Sequence, residues 1–365
     1  PQFLAARAGA ATAPAPRLVR SGDERRPAET DLKVKPETLK ALRTGLAQVT
    51  EPGGTAYNLP LPVRLRGPLD APVLARALSE VVRRHGALRT VFAEAGGEPV
   101  QVIHPARPLP LPRVDLACLP AERCEAEAAR LVAAEARRPF DLRRGPLLRA
   151  ALLRLEAGEH VLLLCMHHVV SDAWSTGVLF REMSALYEVF ARGEASPLPQ
   201  PEVQYADFAA WQRAWLSGEV LERQLGWWRD RLAGAPAVLE VPTDRARRAM
   251  PGARAGVVTR TIARATAEGL RALARRDGAT LHMVLLAGLD VLLARWSGAE
   301  DVVVGTPVAG RTRRETEGLI GFFVNTLALR ADVSGDPSFR ELLGRVREGA
   351  LGAYAHQEVP FERLV

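Results

Sequence analysis

The sequence predicts an α/β protein in two halves, each a sheet covered by helices. Three observations carry this. Strand-like apolar runs and helix-like periodic runs alternate throughout both halves. At 365 residues, 47% of them hydrophobic, the chain can bury a large core, and its length argues for two domains or two lobes. The prolines at 197, 199 and 201 leave few backbone donors and stiffen an extended connection between the halves.

The opening residues 1–50 are rich in Ala, Pro and Arg and hold the chain's lysines, Lys33, Lys35 and Lys40. This composition predicts a linker or tail, disordered apart from one short helix over 36–46. The texture changes at Tyr57. The pattern predicts a strand over 58–65, a helix over 70–84, and strands over 88–92 and 99–103 joined by Gly96-Gly97. A proline-rich stretch, 105–112, interrupts. Helix follows over 121–137, then strands over 147–155 and 161–166, the second an unbroken apolar run of the kind found in a buried central strand. Leu179, Met183, Leu186 and Phe190 then recur at spacings of four, three and four, which lays one helix face on the core. The second half reads as helices over 205–215 and 218–232, a long strand over 255–262, and helices over 266–276 and 281–296. Strands over 301–307 and 322–331 and a helix over 338–354 complete it.

Composition narrows the function classes. Forty-nine basic against forty-two acidic residues give a net charge of +7, nearly all from arginine interleaved with Asp and Glu. No aromatic-studded basic stripe or helix-turn-helix signature accompanies it, so no nucleic-acid partner is expected, and a mildly positive face suits an acidic protein. Cys118, Cys124 and Cys165 have no Cys-x-x-Cys spacing and predict neither a disulfide framework nor a zinc site. No run approaches eighteen apolar residues and no leader pattern opens the sequence, so no membrane contact and a cytoplasmic setting are expected.

The site candidates lie in residues 166–175, where two adjacent imidazoles and a carboxylate fall between the apolar strand and the following helix. Side chains alternate along a strand, so only one of His167 and His168 can readily meet a substrate while the other packs or orients the loop. A neutral imidazole is suited to act as a base near pH 7. Asp172 at a buried turn needs a partner or it forfeits several kcal/mol of solvation. No third ligand lies near the histidines and Asp172, so no metal is expected. Gly96-Gly97 and Gly252 lack the Lys and Ser/Thr of a nucleotide cradle, so the energy of any bond formed has to arrive in the substrate.

Five blocks in chain order resemble the condensation domains of nonribosomal peptide synthetases, members of the chloramphenicol-acetyltransferase-like superfamily. They are residues 84–92 beginning Arg84-His85-Gly86, 167–175 with the His-His-x-x-x-Asp pattern, 205–211, 320–326 and 356–362. The resemblance runs from about Glu51 to the last residue. It implies an α/β fold of two lobes, 51–197 and 198–365, forming a V with the active site on the seam. It makes His168 the catalytic residue, with His167, Asp172, Ala173 and Arg311 structural and Asp172 paired to Arg311. It lines a substrate tunnel with Trp174, Ser175, Gly177 and Asn325. The activity implied is transfer of a carrier-bound acyl or peptidyl thioester to the amine of a second carrier-bound aminoacyl thioester, with an L-configured donor. The partners implied are donor and acceptor peptidyl carrier domains bearing 4'-phosphopantetheine, beside an adenylation domain, with no cofactor bound to the chain itself. Within the superfamily the alternatives are a coenzyme A-dependent acyltransferase or an epimerisation domain; outside catalysis, an inactive scaffold that docks carriers or a tailoring enzyme. Three departures accompany the resemblance. Ala173 stands where the family usually has Gly, and the family's opening helix and closing segment are not recognisable, which implies a second lobe incomplete at its C-terminus.

Overall fold

The computed structural model describes residues 54–95, 98–244 and 256–364. The tail, its short helix and the Gly96-Gly97 junction lie outside them. The first half is built on a sheet of β1 (Asn58–Arg66), β4 (Arg113–Asp115), β5 (Leu148–Glu156) and β6 (Glu159–His167), in the order β1-β6-β5-β4. β6 runs antiparallel to both neighbours, while β4 joins the far edge in parallel. Pro60 and Pro62 lie in β1, an edge strand, where a missing amide donor costs no ladder bond. Two helices, α1 (Ala71–Arg84) and α3 (Ala173–Ala191), pack on one face, where Leu162, Leu164 and Met166 meet Leu78, Leu179 and Leu186. On the other face α2 (Ala121–Ala136) brings Cys124 and Ala128 against Leu153 and Val161. Cover on both faces is why β6 reads as a continuous apolar run. A separate antiparallel pair, β2 (Thr90–Ala95) and β3 (Glu98–Ile103), sits beside this layer.

In the second half β7 (Asp301–Val308) pairs antiparallel with β8 (Asn325–Asp332). Helices α4 (Tyr205–Trp215), α5 (Gly218–Leu232), α6 (Arg264–Arg276), α7 (Leu281–Ser297) and α8 (Phe339–Ala355) accompany them. The second core gathers Trp228, Ala287, Leu327, Leu329, Leu343 and Val346. Asp290 on α7 is 1% exposed, and among the described residues neither of its carboxylate oxygens has a hydrogen-bond partner. Among the described residues no single helix is long and apolar enough to cross a membrane.

Four expectations need correction. Residues 256–262 form no strand; Val257 and Val258 stand 92% and 82% exposed, with no neighbouring strand to bond among the described residues. The strand placed at 88–92 starts at Thr90, because Gly86–Arg89 is a turn of 3-10 helix. The strand placed at 322–331 starts at Asn325, because side chains hold the preceding residues as a loop. The three-residue β4 was not foreseen, being too short to show a period.

Candidate active site

β6 ends on His167, whose 4% exposed ring lies between Tyr57 and Phe140, with centroids 6.1 and 6.0 Å away. Its Nδ1 accepts the Val169 amide at 3.1 Å. Burial, with a smaller contribution from His168, holds its pKa down at about 4, so the ring is neutral near pH 7. His168 opens a single 3-10 turn, with its amide tied to Tyr57 O at 2.8 Å. Its Nδ1 lies 2.8 Å from Ser171 O. A carbonyl can only accept, so Nδ1 carries the proton in the neutral ring and Nε2 carries the lone pair. Nε2 makes no hydrogen bond among the described residues. The Phe322 ring meets His168 edge to face at 5.1 Å.

Asp172 caps α3. Its Oδ1 accepts Ser175 N at 2.7 Å and Arg311 Nη2 at 3.2 Å, and its Oδ2 accepts Phe323 N at 3.0 Å. The two charged side chains are 3% and 1% exposed, a buried pair whose carboxylate accepts three hydrogen bonds. Arg311 also donates to Ser175 Oγ at 2.8 Å, to Leu319 O at 2.9 Å and to Thr316 O, and its guanidinium lies over the Phe323 ring at 4.0 Å. Burial works against its charge, and Asp172 supports it. Ala173 is the first residue of α3, exposed and with negative φ, so its methyl strains nothing.

The four tunnel candidates are scattered. Trp174 is 46% exposed and donates its indole N–H to Glu317 O at 2.8 Å, a contact between the halves. Gly177 is on the exposed side of α3, where an added Cβ would meet nothing. Ser175 is corrected: it is 0% exposed, donating to Gly321 O at 2.8 Å and accepting Gly321 N at 3.1 Å, and no surface remains for a substrate. Asn325 is half-buried, with its side-chain amide engaged. Its Nδ2 donates to Gln357 O and Val359 O at 2.8 and 2.7 Å, and its Oδ1 accepts Thr326 N and Phe361 N at 2.9 and 3.1 Å. It staples β8 to the segment after α8.

Sequence reasoning gave no role to several residues that build the site. Tyr205 donates its hydroxyl to Phe322 O at 2.8 Å. Gly321 packs so closely on the Tyr205 ring that a Cβ would come within 2.3 Å of it, and Gly310, at φ +63°, leaves room for Phe323 O where a Cβ would fall 1.9 Å away. Glu182, in the middle of α3's buried face, is bound by Arg84 at 2.9 and 3.0 Å and by His85 Nε2 at 3.0 Å. Burial alone would raise its carboxyl pKa; His85 and Arg84 outweigh that and hold it at about 2. A glutamate in register with Leu179, Met183 and Leu186 was the signal available. A cleft of about 820 Å³ lined by Asp70, Arg113, Arg154 and His160 does not include His168. Among the described residues no three His, Cys, Asp or Glu side chains gather where they could hold a metal ion.

A family profile described as Condensation domain matches residues 43–365. The chain belongs to the condensation-domain family. One of the linear gramicidin synthase polypeptides of Brevibacillus parabrevis is 51% identical over 314 residues, covering 86% of this chain and 6% of that protein. Phosphinothricin tripeptide synthetase PhsB of Streptomyces viridochromogenes is 44% identical over 365 residues, 100% of this chain and 30% of that protein. The chain thus spans a small part of these relatives. Among solved structures, the X-domain from teicoplanin biosynthesis matches with a TM-score of 0.82 at 32% identity, covering 96% of this chain and 75% of that one. In complex with OxyB the same domain gives 0.81 at 33%, covering 96% and 74%. The first condensation domain of the calcium-dependent antibiotic synthetase, in complex with a substrate analogue, matches at 0.74 with 28% identity, covering 88% and 75%.

Proposed function

We propose that this condensation domain forms peptide bonds in nonribosomal peptide synthesis, joining a donor acyl or peptidyl thioester to the amine of an acceptor aminoacyl thioester. Each substrate arrives on the 4'-phosphopantetheine arm of a carrier domain, in a synthetase that also holds an adenylation domain and works in the cytoplasm. Residues 51–197 and 198–365 form the two lobes of a V, with His168 in a tunnel on their seam. The observation that carries the reading is the free lone pair of His168 Nε2, beside a turn locked by the Asp172–Arg311 pair.

The amine attacks the thioester carbonyl, the C–N bond forms and the C–S bond breaks. Nε2 takes the proton from the attacking nitrogen, and the departing thiolate of the donor arm is protonated in turn. Most of the acceleration comes from holding the two arms together, with modest help from the base. Asp172, Arg311 and His167 hold the turn without touching substrate. The residues 171–175 support an L-configured donor.

Mass spectrometry of the acceptor carrier, after mixing the chain with loaded donor and acceptor carriers, tests this. Condensed product is expected with an L donor, in the presence of a chelator and without ATP. It is absent with His168→Ala, which keeps its melting temperature. No product from the wild-type chain overturns the reading. Its likeness to the teicoplanin X-domain solved with OxyB favours a second reading, a docking scaffold. That reading gains if the wild-type chain binds carriers or a tailoring enzyme yet makes nothing.

A further inference from the structure

Residues 319–323 belong to no helix or strand, yet side chains hold five consecutive residues through their backbone. Leu319 O is bound by Arg311, both polar groups of Gly321 by Ser175, Phe322 O by Tyr205 and Phe323 N by Asp172. The fifth anchor comes from elsewhere: Ile320 N donates to Nδ1 of His85 at 3.3 Å. Within this loop Phe322 is the side chain turned outward, 37% exposed, and its ring rests on His168.

His85 caps the C-terminal end of α1 and is 1% exposed. An amide can only donate, so Nδ1 of His85 holds a lone pair, and its Nε2 carries the proton that goes to Glu182 at 3.0 Å. Glu182 is fixed in turn by Arg84, which bridges α1 and α3. A rigid path therefore runs from the α1–α3 packing through Glu182 and His85 to Ile320, two residues from the ring against His168. A histidine needed only for packing would have no reason to keep a lone pair aimed at this loop.

We propose that His85 is a positioning residue for the reaction at His168: by accepting the Ile320 amide it fixes the Phe322 ring that orients the catalytic imidazole. This rests on the condensation reading. Loss of the acceptor leaves the 319–320 peptide held at its carbonyl alone, by Arg311, so that the loop gives and the Phe322 ring shifts on His168. The consequence falls on turnover, because His85, 1% exposed, presents no surface to a carrier.

Two near-isosteric variants separate the two ends of the ring. In His85→Asn the side-chain oxygen takes the place of Nδ1 and keeps the Ile320 contact while giving up Glu182. In His85→Gln the amide nitrogen takes the place of Nε2 and keeps Glu182 while giving up Ile320. With loaded carriers as substrates and thermal melts in parallel, His85→Asn is expected to hold kcat within about twofold, and His85→Gln to lose about tenfold in kcat at unchanged KM. Phe322→Ala, at an exposed position that does not endanger folding, is expected to lose kcat similarly, and adding His85→Gln to it to cost nothing more. Equal kcat in the two His85 variants, additive losses in the double variant, or normal kcat in Phe322→Ala each overturns the proposal while the condensation reading stands. No product from the wild-type chain overturns both.

Discussion

Asp290 makes the stability of this chain depend on pH in an unusual direction. It is 1% exposed on α7, and with no donor on either oxygen its pKa is raised by burial from the ordinary 3.8 to about 7. Between those values the folded chain binds a proton that the unfolded chain has released, so stability falls as pH rises through the window and levels off above 7. A rise of about 3 in pKa, at about 1.4 kcal/mol each, puts the penalty at ~4 kcal/mol above pH 7 and ~2 kcal/mol at pH 5. Asp290→Asn keeps the shape and removes the titration. Urea midpoints of both proteins at pH 5 and pH 8 measure the difference, and the variant's advantage is expected to grow by about 2–3 kcal/mol between them. Parallel profiles would refute the reasoning, since they would mean that Asp290 is solvated or paired when ionised.

Asp172→Ala and Arg311→Ala are each expected to lower stability by about 3–5 kcal/mol, because each strands the other's charge in a buried site; calorimetric melts near wild type would rule the pair out as a determinant of the fold. His167 works on the acid side: its pKa is depressed to about 4, so stability is lost as pH falls from about 6.5 to 4. His167→Phe should flatten that limb of a denaturation profile, and an unchanged limb would place its source elsewhere. Asn325→Ala removes the staple between β8 and the segment after α8, and should cost about 1–3 kcal/mol through the groups left unpaired, with kcat retained. A lost kcat at unchanged midpoint would return Asn325 to the substrate path.

The fold was legible where a period or a run had room to show. The apolar run at 161–166 marked the central strand, the spacing of Leu179, Met183, Leu186 and Phe190 marked the helix after it, and α4 and α5 fall on the bounds predicted. The strand expected over 255–262 has no ladder across its described residues 256–262, and Phe322 read as strand because its apolar neighbours hide a loop held by side chains. Within the site, the turn at 167–172 was visible because strand and helix bracket it. Ser175 was misplaced because a polar residue in an apolar setting fits a tunnel wall and a backbone staple equally well until its partners are seen. His85, Glu182 and Tyr205 act on backbone or on residues far along the chain, and local pattern does not reach that distance.

The bonds joining residues 172 and 175 to 311, 321 and 323 also set how the two cores can move against each other. Pulling them apart at this point breaks a buried ion pair and several hydrogen bonds together, and the bonds from Ile320 to His85 and from Trp174 to Glu317 hold the same seam. The contact is thus a clamp. Any relative motion of the two cores has to carry the 167–172 turn and residues 319–323 along as one unit, or break these bonds all at once.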